Sequence, residues 1–119
     1  MANPSHDSPI GDDLLEAVTD AMVALHARYH GHRPASARTR VLDDMLACVL
    51  GDMYTDVEKT IIEMQRKALV HEVRSAFQQA MERRFITIVE ELTSRKVAKF
   101  IPTHHVGPDL ELELSVFES

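Results

Sequence analysis

The chain has no tryptophan, one cysteine and four glycines in 119 residues, and aromatic side chains make up 5% of it. Each scarcity removes a class of protein. The single cysteine, Cys48, permits no intrachain disulfide, and no Cys-x-x-Cys pair exists to hold a metal. Cys48 lies in an apolar run, so it reads as a small buried hydrophobe in a reducing compartment. The few glycines form no phosphate-cradling loop, and no dinucleotide fingerprint or nucleophile elbow is present. No apolar run approaches the ~20 residues that a membrane-spanning helix needs. The basic stretches Arg83-Arg84 and Arg95-Lys96 lack interleaved aromatics, and the net charge is −6. Nucleic-acid binding, direct membrane insertion and recognisable enzymatic chemistry are therefore not expected.

What is present suits one folded domain. The length fits a single core, and 45% hydrophobic with 27% charged residues is ordinary globular composition. Residues 1–11 carry Pro4, Ser5, Ser8 and Pro9 without a basic stretch, which reads as a flexible tail and not a signal peptide. The domain is expected over residues 12–118, in the cytoplasm.

Leu15, Val18, Met22, Leu25 and Tyr29 recur at helical spacing, so a first helix is expected from Asp12 or Asp13 to Gly31, with Asp13 and Glu16 as a capping pair. Gly31 and Pro34 end it. Residues 38–50 read as two short antiparallel strands turning at Asp43-Asp44, or as one bent strand. Thr55-x-x-Glu58 is a full capping box opening a long helical stretch without glycine or proline to Thr93. Its apolar stripe slips at Gln65-Arg66-Lys67, so a break is expected near residues 66–68, and a second is possible at residues 81–85. Residues 96–101 read as a strand. Residues 110–117 alternate strictly, which predicts a half-buried strand with Leu112 and Leu114 inward and Glu111 and Glu113 outward. The order α-β-β-α(α)-β-β predicts an α+β fold of two layers, helices on one face of a four-stranded, mainly antiparallel sheet.

Three groups of residues are candidates for function. His26, His30 and His32 gather at the end of the first helix, with His104 and His105 in a later loop; such a set suits zinc or nickel, against the plainer reading of solvent-facing side chains. Arg33, Arg38 and Arg40 suit a carboxylate, phosphate or bicarbonate, against the plainer reading of ion pairs with Asp43, Asp44, Glu111 or Glu113. Phe77, Met81, Phe85 and Ile88 extend an apolar stripe longer than one small sheet covers, which points to a homo-oligomer, a dimer first. No resident cofactor is expected.

Several segments together resemble one family. They are Leu25-His26-x-x-Tyr29-x-Gly31-x-Arg33-Pro34, Thr55-x-x-Glu58-Lys59-Thr60, Val73-Arg74-x-x-Phe77-Gln78, Glu91-Leu92-Thr93-x-Arg95-Lys96-Val97, and His104-His105-x-x-x-Pro108-Asp109-Leu110 with the final Val116-Phe117. This ordered set, from Asp13 to Phe117, resembles the MpsC-like domain, the C component of a Na+-translocating membrane-potential-generating system. The chain departs from that pattern at Gly31-His32-Arg33-Pro34, where Gly-Arg-Gly-Pro is expected, and at Ser94, where glycine is expected. The resemblance implies a soluble, non-enzymatic accessory or regulatory protein beside a membrane-protein partner, tied to membrane potential or inorganic-carbon uptake. It supplies no catalytic residues. The rival expectations are a small-anion or metabolite sensor built on the arginines and a metal-dependent enzyme built on the histidines.

Overall fold

A computed structural model of the chain describes residues 10–103 and 109–119. The tail expected over residues 1–11 falls mostly outside the described residues. Helix α1 covers Asp12–Tyr29. Its N-terminus is held by the Gly11 carbonyl, which accepts from Leu14 and Leu15, and no side chain caps it. The Asp13–Glu16 capping pair is therefore absent, although Asp12 and Asp13 still place negative charge on the first turn. The helix ends at His30, and Gly31 follows with φ +79°, a left-handed conformation that glycine adopts without strain.

Strands β1 (Ser36–Leu42) and β2 (Met45–Gly51) form the expected hairpin, with Leu42 opposite Met45. Asp43, at φ 53°, turns the chain between them. Helix α2 (Asp56–Glu63) opens on the predicted capping box. Thr55 Oγ1 accepts from Glu58 N–H at 3.1 Å, and the Glu58 carboxylate accepts from Thr55 N–H at 2.9 Å. Removing the hydroxyl with Thr55→Ala is expected to cost about 0.5–2 kcal/mol, read as a lower denaturation midpoint. An unchanged midpoint would show that the carboxylate alone secures this helix end.

The predicted break follows at once. Gln65 is left-handed (φ 62°), and helix α3 runs from Lys67 to Thr93. No second break occurs; residues 81–85 continue the same helix because Met81 and Phe85 stay on its buried stripe. Ser94 then takes a left-handed conformation, φ 58°, at the position where the resemblance leads to glycine being expected. Strands β3 (Val97–Thr103) and β4 (Leu110–Phe117) complete the sheet.

The sheet is antiparallel throughout, in the order β1-β2-β4-β3. The core lies between its inner face and helices α1 and α3. Val18, Met22 and Val23 come from α1, Leu46, Cys48 and Leu50 from β2, Met81, Phe85 and Val89 from α3, and Phe117 from β4. The α+β layering is as the sequence predicts, but the register of β4 is inverted. Glu111, Glu113, Ser115 and Phe117 are buried on the inner face, while Leu110, Leu112, Leu114 and Val116 are half-buried on the outer one. One step in register exchanges the two faces of a strand. The physical reason is that the helices present cations to this part of the sheet.

Candidate functional site

Those cations come from two apolar stripes, each interrupted by a polar residue. On α1 the buried stripe is Val18, Met22 and His26 at four-residue steps. On α3 it is Val70, Arg74, Gln78, Met81 and Phe85. Strand β4 supplies Glu111 and Glu113, two apart and so on one face. Glu58 joins from the capping box of α2. The Asp109 carboxylate, which accepts from Met53 and Tyr54 N–H, fastens the approach to α2 against the start of β4.

The resulting cluster is almost closed to water: His26 is 0% exposed, Arg74 2%, and Glu111 and Glu113 1% each. His26 Nδ1 lies 2.8 Å from the Met22 carbonyl oxygen, which only accepts, so Nδ1 carries a proton. The other ring nitrogen, Nε2, faces Glu111 Oε2 at 3.2 Å and Glu113 Oε2 at 3.5 Å. Arg74 Nη1 donates to Glu111 Oε1 at 2.7 Å, and its Nε lies 3.4 Å from Glu58 Oε2. Glu58 Oε1 also meets His30 Nε2 at 3.2 Å. Phe85 stacks on the His26 ring at 5.2 Å, Phe77 leans on it at 5.6 Å, and Tyr54 lies over the Arg74 guanidinium.

These contacts set the protonation of the cluster. Burial works to raise the Glu58 carboxyl, but the hydrogen bonds from His30 and Thr55 and the Arg74 charge outweigh it and hold it near 2. Glu111 is likewise held below the ordinary carboxylate range: burial opposes this, and His26 and Arg74 prevail. Glu113 has no such support. Burial lifts it to about 8, and His26 only partly offsets this; neither of its oxygens has a hydrogen-bond partner. Burial works against the charged form of His26, but Glu111, Glu113 and the Met22 carbonyl raise it above its usual value. Cys48, opposite Glu113 on β2, is pushed up to about 12 by burial and the nearby carboxylates, so it remains an inert thiol.

The sequence profile of the Na+-translocating membrane potential-generating system component MpsC matches residues 12–119. The chain belongs to the MpsC family. No curated protein and no solved structure matches it. Within this MpsC chain, residues quoted for the resemblance fall on the cluster: Glu58 caps α2 and meets Arg74, while His26 and Arg74 hold Glu111. Among the described residues, no helix is long and apolar enough to cross a membrane.

The structure redistributes the residues singled out from sequence. His26 is in the core, His30 binds Glu58, and His32 Nε2 meets the Asp52 carbonyl at 2.8 Å, so these three do not converge on one metal. His104 and His105 lie outside the described residues. The solvent-facing reading fails for His26 because its stripe faces the sheet. Arg38 and Arg40 do share a face, the outer one, beside Val49 and Ala47. Pairing with Glu111 and Glu113 fails because those carboxylates point to the opposite face. Arg38 lines a depression of about 400 Å³ together with Ser36, Ala37, Val49 and Leu110. Arg33 is exposed in the loop before β1. Met81 and Phe85 are closed inside the chain's own core, and Phe77 and Ile88 pack against it, because α1 covers the stripe expected to face a partner. Charge alone places the carboxylates Glu111 and Glu113 outward. The signal that identifies them is His26 and Arg74 standing on apolar stripes, which demand buried acceptors.

Proposed function

We propose that this MpsC-family chain is a non-enzymatic accessory or regulatory component of a membrane-potential-generating system, acting through protein contact as a homodimer. The observation that supports this is the outer face of the sheet. Leu112 and Leu114 stand there beside Val49 and Ala47, Met45 pairs with Val116, and Ile101 flanks Leu114. No helix among the described residues packs on that face. A strand that buries glutamates and leaves leucines on the open side is built to have that side covered as well.

Four strands of about seven residues make a footprint of roughly 20 by 23 Å, from ~4.8 Å between strands and ~3.3 Å per residue. Two such faces stacked about 10 Å apart bury roughly 900 Å² in total, the size of a weak, reversible interface and below that of a standard one. A two-fold axis makes one face complementary to itself. The cluster favours a structural role over a catalytic one: its ionisable groups are shut from solvent and its one thiol is inert. An adaptor needs a rigid scaffold, and an interior tied to three helices and a strand provides it.

Light scattering coupled to gel filtration should give the mass of two chains for the intact protein. The double variant Leu112→Glu, Leu114→Glu should give one chain with an unchanged far-ultraviolet circular dichroism spectrum. A single-chain mass for the intact protein at micromolar concentration, or a variant that stays dimeric, sinks the reading.

A further inference from the structure

The buried cluster holds more carboxyl groups than permanent cations, and its geometry says where the difference is concentrated. Glu58, Glu111 and Glu113 face one guanidinium, Arg74. Protons on His26 and Glu113 balance the cluster when no ion is present; with those two protons displaced, three carboxylates and one guanidinium leave an excess of two negative charges, inside a region closed to water. The guanidinium lies between Glu58 and Glu111, away from Glu113. The uncompensated charge therefore sits where Glu113 and Glu111 Oε2 meet the His26 ring.

The donor atoms converge there. With Nδ1 protonated toward Met22, His26 turns Nε2 to two carboxylate oxygens, and losing the Nε2 proton to an incoming ion would expose its lone pair to them. Three potential ligand atoms, one from each residue, lie within 4.8 Å of one another. The separations from His26 Nε2, 3.2 and 3.5 Å, are close to the ~3.3 Å between neighbouring ligands of an ion whose bonds are ~2.0–2.1 Å. Both Glu113 oxygens lack partners, so this carboxylate is free to bind through two atoms and bring the donors to four. The surroundings match the outer shell of a metal site. The Met22 carbonyl fixes the ring tautomer, Arg74 fixes Glu111 from its far oxygen, and Phe85 and Phe77 exclude water.

We propose that His26, Glu111 and Glu113 bind one divalent transition-metal ion of the zinc class. The two positive charges of the ion replace the two protons that His26 and Glu113 give up on binding it. An imidazole nitrogen with carboxylates suits zinc, manganese, iron or cobalt, and a site with a nitrogen ligand and few oxygens is poor for sodium or magnesium. Because the ligands join α1 to β4 in a closed interior, the ion is structural: it enters as the chain folds and leaves when the chain opens. The inference is independent of the dimer, which uses the other face of the sheet.

The test uses the full chain, untagged, so that no added histidines bind metal. The protein is unfolded with a chelator, refolded with and without one equivalent of Co²⁺ or Zn²⁺, desalted and analysed for metal. One ion per chain is expected, with the visible d–d bands of low-coordinate cobalt and a higher thermal midpoint. Glu113→Gln keeps the size and shape of the side chain but cannot donate through two anionic oxygens; it should fold and lose the ion and the bands. The variant His32→Ala, His104→Ala, His105→Ala should retain both. Refolded protein that holds no metal overturns the proposal and assigns the charge balance to protons. Bands that survive Glu113→Gln, or vanish only when His32, His104 and His105 are replaced, overturn it as well.

Discussion

Arg74→Ala is expected to lower the stability of the folded chain by about 3–5 kcal/mol, the cost of leaving buried carboxylates without their cation. The guanidinium is 2% exposed and serves Glu111 through Nη1 and Glu58 through Nε and Nη2. Its planar fork reaches both acids at once; no other side chain does so among the described residues. Arg74→Lys keeps the charge but offers one nitrogen to two carboxylates, so its loss should fall between wild type and alanine. Arg84→Ala is the contrast. Arg84 lies over the Tyr29 ring at an exposed site and should cost less than about 1 kcal/mol. Urea denaturation with a common slope separates the three. Equal losses for Arg74→Ala and Arg84→Ala would mean that the cluster is not what holds α3 to β4. Such a result would also weaken the charge argument for the metal, because that argument places Arg74 as the one fixed cation.

Why the cluster is hidden in the sequence follows from the alternation of β4. A strand that alternates leucine and glutamate has two registers, and transfer energies alone choose the one with leucine inside. The choice is decided across the sheet, by what the helices bring. The most apolar stripe of α1 is Leu15, Val18, Met22, Leu25 and Tyr29, yet Val23 and His26 are buried and Tyr29 is 42% exposed. In the first half of α3 that stripe runs through Leu69 and Val73, but Val70 and Arg74 are the buried pair, while Val73 is 50% exposed. Both helices are turned by about one residue from the most apolar choice. That turn puts His26 and Arg74 over the sheet, and Glu111 and Glu113 then have to face them.

Local signals are legible where they depend on neighbouring residues alone. The Thr55–Glu58 box, the hairpin across Asp43-Asp44, Gly31 behind α1 and the break before Lys67 all rest on backbone chemistry within a few residues. The layering follows from the order of the elements. The site does not, because its hydrogen-bonded pairs are 16 to 85 residues apart in the chain. The long apolar stripe of α3 reads from sequence as a partner surface for a related reason, but α1 lies along it, and the half-buried leucines of β4 are on the outer face of the sheet. Ser94 shows how a local departure is tolerated. It adopts the left-handed conformation without glycine, and its N–H donates to the Glu90 carbonyl at 2.9 Å.

Acid should dissolve this cluster from its exposed edge. Glu58 is held near 2 in the folded chain, below the ordinary value of 4.5 that it regains on unfolding. A depressed carboxyl favours the folded state when ionised, so its contribution is fully present above about pH 5 and fades as the pH falls toward 2. The size is about 2–3 kcal/mol, since a tenfold change in proton affinity is worth about 1.4 kcal/mol and the side chain keeps some contact with water. Glu58→Gln removes the titration while leaving an amide of similar shape at the α2 cap. Denaturation midpoints measured from about pH 7 to about pH 2.5 should show the wild type well above the variant at neutral pH. The two should approach each other below about pH 4. A gap that stays constant through that window would mean that Glu58 contributes through its shape and its hydrogen bonds, with no part for its charge. A gap that closes ties the helix cap, Arg74 and His30 into one ionic unit, in which the first turn of α2 is stable because its carboxylate also serves the core.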